Sequence, residues 1–80
     1  MNIQNLIKTA NDIGAFFEGE KDPAKGAAAV ADHLKRFWDP RMRLQILTYL
    51  DERGGEGLKP IVLEALRSHG HRIAPPLAPQ

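Results

Sequence analysis

The sequence has 80 residues, no cysteine, 42% hydrophobic residues and a formal net charge of +1. These values are typical of one small domain near the lower size limit for a self-sufficient core. The lack of cysteine excludes disulfides, thiolate metal ligands and cysteine nucleophiles. The first residues have no basic n-region, and no apolar run approaches the ~20 residues of a membrane span. We therefore expect no signal peptide, no membrane partner and a cytoplasmic location.

The basic charge is concentrated in residues 23–43. This segment contains five Lys and Arg and two Asp, which gives a net charge of +3, whereas residues 1–22 carry a net charge of −2. Duplex nucleic acid requires a larger clustered basic footprint. The sequence therefore predicts no nucleic-acid partner, and its basic segment is compatible with a small anion or an acidic protein surface.

The first segment has the apolar spacing of an amphipathic helix. Its apolar stripe comprises Ile3, Leu6, Ile7, Ala10, Ile13, Gly14 and Phe17. Phe16 lies off this stripe, so it either widens the apolar face or reaches a second surface. We expect this helix to end near Gly19.

Two Asp-Pro pairs, Asp22-Pro23 and Asp39-Pro40, predict helix starts, with Asp as N-cap and Pro in the first turn. Proline also disfavours the α conformation in the residue before it, so the second helix should stop by Asp39. The small side chains of residues 26–29 would let another helix approach closely. The predicted apolar face of the second helix comprises Ala27, Val30, Ala31, Leu34, Phe37 and Trp38.

A third helix is predicted from Pro40 to about Arg53, stopped by the glycines at 54 and 55. Its apolar side comprises Met42, Ile46, Leu47 and Leu50, widened by Leu44 and Tyr49. A fourth helix is predicted from the Leu58-Lys59-Pro60 segment to about His69, with Gly70 as its stop. Its apolar face comprises Leu58, Ile61, Val62, Ala65 and Leu66.

No sustained period-two alternation predicts a strand. The expected fold is all-α, a small bundle or cluster of three to four short helices in one domain at residues 1–70. Residues 71–80 hold three of the six prolines, and we expect them to form an extended or disordered tail.

Catalytic and metal-binding patterns are missing from the sequence. The carboxylates are scattered, and His69 and His71 would face different directions on a helix. The Gly-rich residues 54–57 lack the preceding strand and the Gly-Lys-Ser/Thr ending of a phosphate-binding loop. We therefore expect no catalytic, cofactor-binding or metal site, and a chain that is not itself an enzyme.

Residues 33–43 contain the only Trp, one of the three Phe and four of the eleven Lys and Arg. Arg43 falls inside the apolar arc of the third helix, so its guanidinium needs a carboxylate, phosphate or carbonyl partner. The aromatic residues could be core, with the Arg side chains along the surface. Alternatively they form an interface hot spot, since Trp and Arg are favoured there, and the two interpretations can coexist. The candidate partner-binding residues are His33, Arg36, Phe37, Trp38, Asp39, Arg41 and Arg43.

Self-association of the isolated chain is a further possibility, because a small domain without its partner can expose an apolar patch. The Phe16 side and Tyr49 are the candidates for that patch.

Two blocks of the sequence resemble the delta subunit of NAD-dependent formate dehydrogenases that contain molybdenum or tungsten. Residues 10–17 (ANDIGAFF) resemble Ala-Asn-Gln-Ile-x-x-Phe-Phe, with Asp12 where Gln is expected. Residues 30–43 (VADHLKRFWDPRMR) are close to Ala-x-His-Ile/Leu-x-Arg-Phe-Trp-x-Pro-Arg-Met-Arg. The resemblance spans about residues 6–66 and leaves the proline-rich tail outside.

This resemblance implies a non-catalytic accessory subunit of a cytoplasmic complex, which supports assembly and stability of the alpha subunit. In that family the alpha subunit holds bis-molybdopterin guanine dinucleotide and iron–sulfur clusters. The beta and gamma subunits pass electrons through FMN and clusters to NAD, and the delta subunit carries no redox centre. The alternative is a transient cofactor-insertion chaperone whose basic corner contacts the guanine dinucleotide phosphates, since Arg binds two phosphate oxygens at once.

Overall fold

Four α-helices make up most of the computed structural model, which describes residues 2–76. In chain order they are α1 (Ile3–Phe17), α2 (Pro23–Phe37), α3 (Pro40–Arg53) and α4 (Pro60–Ile73). No strand occurs in these 75 residues, so the predicted all-α class is confirmed. Within the same range, no helix has the length and apolar character needed to cross a membrane.

Both Asp-Pro pairs start helices as predicted. Asp22 accepts a hydrogen bond from the backbone N–H of Ala24 at 3.0 Å, and Asp39 accepts one from that of Met42 at 3.0 Å. The proline after each Asp occupies the first turn, where its missing N–H would have had no helical partner. The link between α2 and α3 is therefore only two residues long.

The main helix contact is between α2 and α4, and α1 packs against the other three helices. A Cβ atom added at Gly14 would lie 2.8 Å from Val62 Cγ2, and one at Gly26 would lie 3.1 Å from Ile61 Cδ1. Small residues on α1 and α2 therefore allow the close approach of α4. For α2 the sequence predicted such an approach.

The core draws on all four helices and on both links next to α3. The predicted apolar faces of α1, α2 and α4 supply most of it, and α3 contributes one fully buried residue. The buried hydrophobic residues are Leu6, Ile7, Ala10, Ala27, Val30, Ala31, Leu34, Trp38, Ile46, Leu58, Val62, Ala65, Leu66 and Ile73.

Two residues predicted on apolar faces lie outside the core. Phe37 is 72% exposed and Leu44 is 55% exposed, so both predictions were wrong. Consecutive helical residues point about 100° apart, so Phe37 and Trp38 cannot share one direction. Trp38 has left the helix, with φ −90° and ψ 137°, and it is the one that is buried.

The end of α4 also differs from the prediction. The helix does not stop at His69 and Gly70 but continues to Ile73, whose side chain is fully buried. His69 has the non-helical angles φ −123° and ψ 16°, so this segment bends without ending the helix. Burial of an Ile side chain contributes about 1.5–3 kcal/mol. That exceeds the cost of about 1 kcal/mol for a helical glycine.

The predicted boundary between domain and tail therefore falls inside α4. Residues 71–73, assigned to the tail from sequence, belong to the helix. The last four residues of the predicted tail, 77–80, lie outside the described residues.

Asn11 on α1 makes a connection that the sequence did not predict. Its side-chain amide donates to the carbonyl of Gly57 at 2.9 Å and accepts from the backbone N–H of Lys59 at 2.8 Å. Lys59 is the N-cap of α4 and has no side-chain capping bond of its own. Asn11 therefore attaches the link before α4 to α1 and satisfies a donor at the start of α4.

Replacing Asn11 with alanine is expected to lower the free energy of unfolding by about 1–3 kcal/mol, because the partly buried N–H of Lys59 and the exposed carbonyl of Gly57 both lose their partner. Urea denaturation followed by circular dichroism measures this change. Asn5→Ala is the matched control, since Asn5 is exposed on the same helix, and we expect it to change stability by less than about 0.5 kcal/mol. Equal urea midpoints of unfolding for Asn11→Ala and Asn5→Ala would contradict the assigned role of Asn11.

Candidate partner-binding surface

Trp38 and Asp39, two predicted partner-binding residues, form the corner between α2 and α3. Trp38 is only 5% exposed, and its backbone N–H donates to the carbonyl of Leu34 at 3.0 Å. Asp39 caps α3 through its side chain, and its carbonyl accepts from the N–H of Arg43 at 3.1 Å. Within the chain, both residues fix the angle at which α3 leaves α2.

Arg43 has the carbonyl partner that its position requires, and this partner lies within the same chain. Its Nη1 donates to the carbonyl of Ile73 at 3.1 Å, and its Nε is buried without a hydrogen-bond partner among the described residues. A cation near the last carbonyls of a helix is stabilising, both by hydrogen bonding and through the helix dipole. Arg43 therefore ties the start of α3 to the end of α4.

Arg36 and Arg41 are the two predicted arginines that remain on the surface of the corner. Arg36 Nε lies 3.0 Å from Asp32 Oδ2, and both side chains are largely exposed. Such an exposed ion pair contributes only about 0–1 kcal/mol and is readily exchanged. The side chains of Arg41 and of Lys35 on α2 are exposed and have no hydrogen bond or ion pair within residues 2–76. The corner thus carries cations that an anionic group can reach.

His33 and Phe37 belong to a line of four aromatic rings that joins α1 to α2. The ring centroids of His33 and Phe37 are 4.7 Å apart, and those of His33 and Phe17 are 6.3 Å apart. Phe17 in turn meets Phe16 edge to face at 4.9 Å. Phe16 is 80% exposed and Phe37 is 72% exposed. We call these four residues the aromatic row.

A shallow apolar depression of about 320 Å³ lies beside the Phe16 end of the row. It is lined by Thr9, Asp12, Ile13, Phe16, Phe17 and His33. Part of this surface was indicated by the sequence, since Phe16 lies off its helix stripe and His33 and Phe37 are four residues apart on one helix. No pattern in the sequence indicated that α1 and α2 would bring these side chains together.

Tyr49, the other candidate for a self-association patch, lies on α3 away from the row. It is half-buried, and its hydroxyl donates to the carbonyl of Glu56 at 2.7 Å. This bond holds the chain just after α3. The hydroxyl therefore already has a partner within the chain.

Five of the ten carboxylates serve helix caps or exposed ion pairs. Besides the two Asp caps and the Arg36 pair, Lys8 pairs with Asp12 at 3.0 Å and Lys59 with Glu18 at 3.5 Å. No group of three or more His, Asp and Glu side chains in the described part of the chain is arranged to hold a metal ion. The corner itself exposes the cations Arg36 and Arg41 and, at Phe37, one end of the aromatic row.

Residues 5–66 match the family described as NADH-dependent formate dehydrogenase delta subunit, FdsD. No curated protein and no solved structure matches the chain. The family match covers well over half of the 80 residues, including all of α2 and α3 and both sequence blocks that carry the resemblance. The chain therefore belongs to the NADH-dependent formate dehydrogenase delta subunit family.

Proposed function

We propose that this chain is a non-catalytic accessory subunit that docks on the alpha subunit of a cytoplasmic formate dehydrogenase and supports its assembly and stability. Beta and gamma subunits complete the complex. The observation that carries the proposal is the family match over residues 5–66, which includes the exposed corner between α2 and α3.

The redox cofactors of the complex belong, in this proposal, to its other subunits. Bis-molybdopterin guanine dinucleotide with molybdenum or tungsten and iron–sulfur clusters lie in alpha, and FMN and further clusters in beta and gamma. The described residues of this chain do not offer a donor set that fits such a metal group. We therefore assign this chain a role in contacts between subunits and no step of electron transfer.

The corner has the chemistry of a docking surface. Arg41 is exposed without a side-chain partner in the described chain, Arg36 has only a surface ion pair, and Phe37, next to Arg36 in sequence, is exposed. Arginine and aromatic residues are enriched in protein interfaces, and a guanidinium binds a carboxylate through two parallel hydrogen bonds. We expect carboxylates on the facing surface of the alpha subunit. Trp38 and Arg43 act here by holding the corner in shape.

Arg41→Glu is expected to raise the Kd for the alpha subunit by about tenfold to a hundredfold, the range of one interface hot spot. Titration of the purified alpha subunit with the labelled chain measures this Kd. Arg67→Glu is the matched control, because it makes the same change in net charge at an exposed position on α4. Arg43 is unsuitable for this test, because its substitution would also remove the hydrogen bond to Ile73 and so change the stability of the free chain. Equal affinities for both variants would remove Arg41 from the interface.

Affinity purification of the tagged chain from its native host tests the proposal as a whole. We expect the alpha subunit to co-elute in stoichiometric amount, with formate-dependent NAD reduction in the eluate. Elution of the chain without any formate dehydrogenase subunit would contradict the proposal.

A second candidate function is that of a chaperone for cofactor insertion, which contacts guanine dinucleotide phosphates through the basic corner. Arg41, whose side chain has no partner among residues 2–76, favours it, because a planar guanidinium suits phosphate oxygens. Engagement of Arg43 within the chain leaves fewer cations for this contact. Saturable guanine nucleotide binding that weakens with salt is expected for this candidate alone. Co-elution of only an immature alpha subunit, with an enzyme that is active without this chain, would also favour it.

A further inference from the structure

Helix α3 has the fewest buried residues of the four helices. It packs against α1 and α4, and Ile46 is its one fully buried residue. The side of α3 opposite Ile46 presents a stripe of four exposed residues at spacings of three, four and three. They are Arg41, Leu44, Thr48 and Asp51, and Leu44 is 55% exposed. This spacing is typical of the contact seam between two paired helices.

The charges of this stripe are placed against the helix dipole of α3. Arg41 lies in the first turn, and Asp51 lies in the last turn with Glu52 next to it. A helix N-terminus favours anions and a C-terminus favours cations, so both charges lie at the less favourable end. The stability of α3 alone therefore does not explain their positions.

Neither charge is paired within its own helix. On α1 and on α2, an exposed acid forms an ion pair with a cation four residues away. The side chains of Arg41 and Asp51 have no hydrogen bond or ion pair within residues 2–76. They lie ten positions apart, about 15 Å along the helix, and so cannot reach each other. Both can pair only with groups outside the described chain.

The stripe is complementary to itself when two copies of α3 lie antiparallel. A twofold axis at the level of position 46 brings Arg41 of each copy to Asp51 of the other and Leu44 to Thr48. Position 46 is the midpoint of both pairs, so one axis serves both. Each Arg41 then lies near a helix C-terminus and each Asp51 near a helix N-terminus, which reverses their unfavourable placement. A parallel pair would instead bring like charges together.

We infer that the free chain forms a symmetric dimer through antiparallel packing of α3. Arg41 and Asp51 form an ion pair at each end, and Leu44 packs against Thr48 at the centre. Twofold dimers of this kind are the commonest symmetric assemblies. A helix of 14 residues is about 21 Å long, so one helix pair buries less than the ~1,200 Å² of a standard interface. The dimer is therefore weak.

This dimer needs no other subunit and does not depend on the proposed function. In the proposed function Arg41 contacts the alpha subunit, whereas in the dimer the same side chain is occupied by a second copy. The dimer is therefore a form of the free chain and is replaced when the chain docks.

Sedimentation equilibrium of the full chain, at concentrations up to the millimolar range, measures the dissociation constant of the dimer. Arg41→Glu and Asp51→Arg each place like charges at both ends of the interface, and each should raise this constant by about tenfold or more. The two changes combined in one chain restore opposite charges, so the double variant should dimerise like the wild type. Each single change also suits the helix dipole, so neither should lower the unfolding temperature of the monomer.

Arg67→Glu is the matched control for Arg41→Glu, because it makes the same change in net charge at an exposed position on α4. It should leave the dissociation constant unchanged. A wild-type chain that stays monomeric at every concentration would overturn the inference. Equal weakening by Arg41→Glu and Arg67→Glu, or a double variant no stronger than the single variants, would also overturn it. Because no alpha subunit is present, this inference and the proposed function fail separately.

Discussion

Replacing Trp38 with alanine is expected to lower the free energy of unfolding by about 3–5 kcal/mol, as for other buried aromatic residues. Trp38 is 5% exposed and fills the space where α2 ends and α3 begins. Domains of ordinary stability unfold with only about 5–15 kcal/mol, so the loss is a large part of the total. Urea denaturation monitored by circular dichroism measures it.

Phe37→Ala is the internal control for Trp38, since it removes the neighbouring aromatic side chain. Because Phe37 is 72% exposed, we expect a change of less than about 0.5 kcal/mol. Equal destabilisation by the two substitutions would contradict the burial assigned to this pair. It would favour the prediction from sequence, which placed both residues on the apolar face of α2.

Replacing Ile73 with alanine is expected to destabilise the protein by about 2–5 kcal/mol, the range for a buried aliphatic side chain. Ile73 is fully buried at the end of α4, and its carbonyl accepts from Arg43. Chemical denaturation gives the loss in stability, and amide hydrogen exchange in the last turn of α4 shows where it arises. The substitution therefore tests directly whether α4 passes Gly70.

Arg72→Ala is the control for Ile73, because Arg72 is exposed in the same turn. Its stability should stay within about 0.5 kcal/mol of the wild type. Wild-type stability in Ile73→Ala would mean that the helix ends earlier, as the glycine at position 70 suggested.

The parts of the fold that were predicted correctly from the sequence depend mostly on local signals at the helix ends. The Asp-Pro pairs set the starts of α2 and α3, and Gly54, with φ 68°, ends α3 in the left-handed conformation. These signals act within one turn and do not depend on the rest of the chain. The end of α4 is different, because burial of Ile73 outweighs the local preference at Gly70. Such burial depends on distant residues and could not be predicted from the spacing.

The docking surface was predicted only in part, for a related reason. The sequence placed cations and aromatics at the corner, but a helix pattern does not state which helices pack together. The contact of Arg43 with Ile73 spans 30 positions, and that of Asn11 with Lys59 spans 48. Both depend on the arrangement of all four helices. The intramolecular partner of Arg43 therefore could not be predicted from the sequence.

The aromatic row combines residues from the two sequence blocks that carry the family resemblance. Phe16 and Phe17 come from residues 10–17, and His33 and Phe37 come from residues 30–43. The packing of α1 against α2 brings the two pairs into one line of rings. Neither block alone indicates a shared surface.

The most direct test of the central claim is production of the alpha subunit with and without this chain in an otherwise complete formate dehydrogenase. The measured quantities are the yield of alpha subunit, its cofactor content and the half-life of formate-dependent NAD reduction. Without the chain we expect a lower yield of active enzyme or a shorter half-life, and we expect the wild-type chain to restore both. Equal yield, cofactor content and half-life in its absence would contradict a role in assembly or stability.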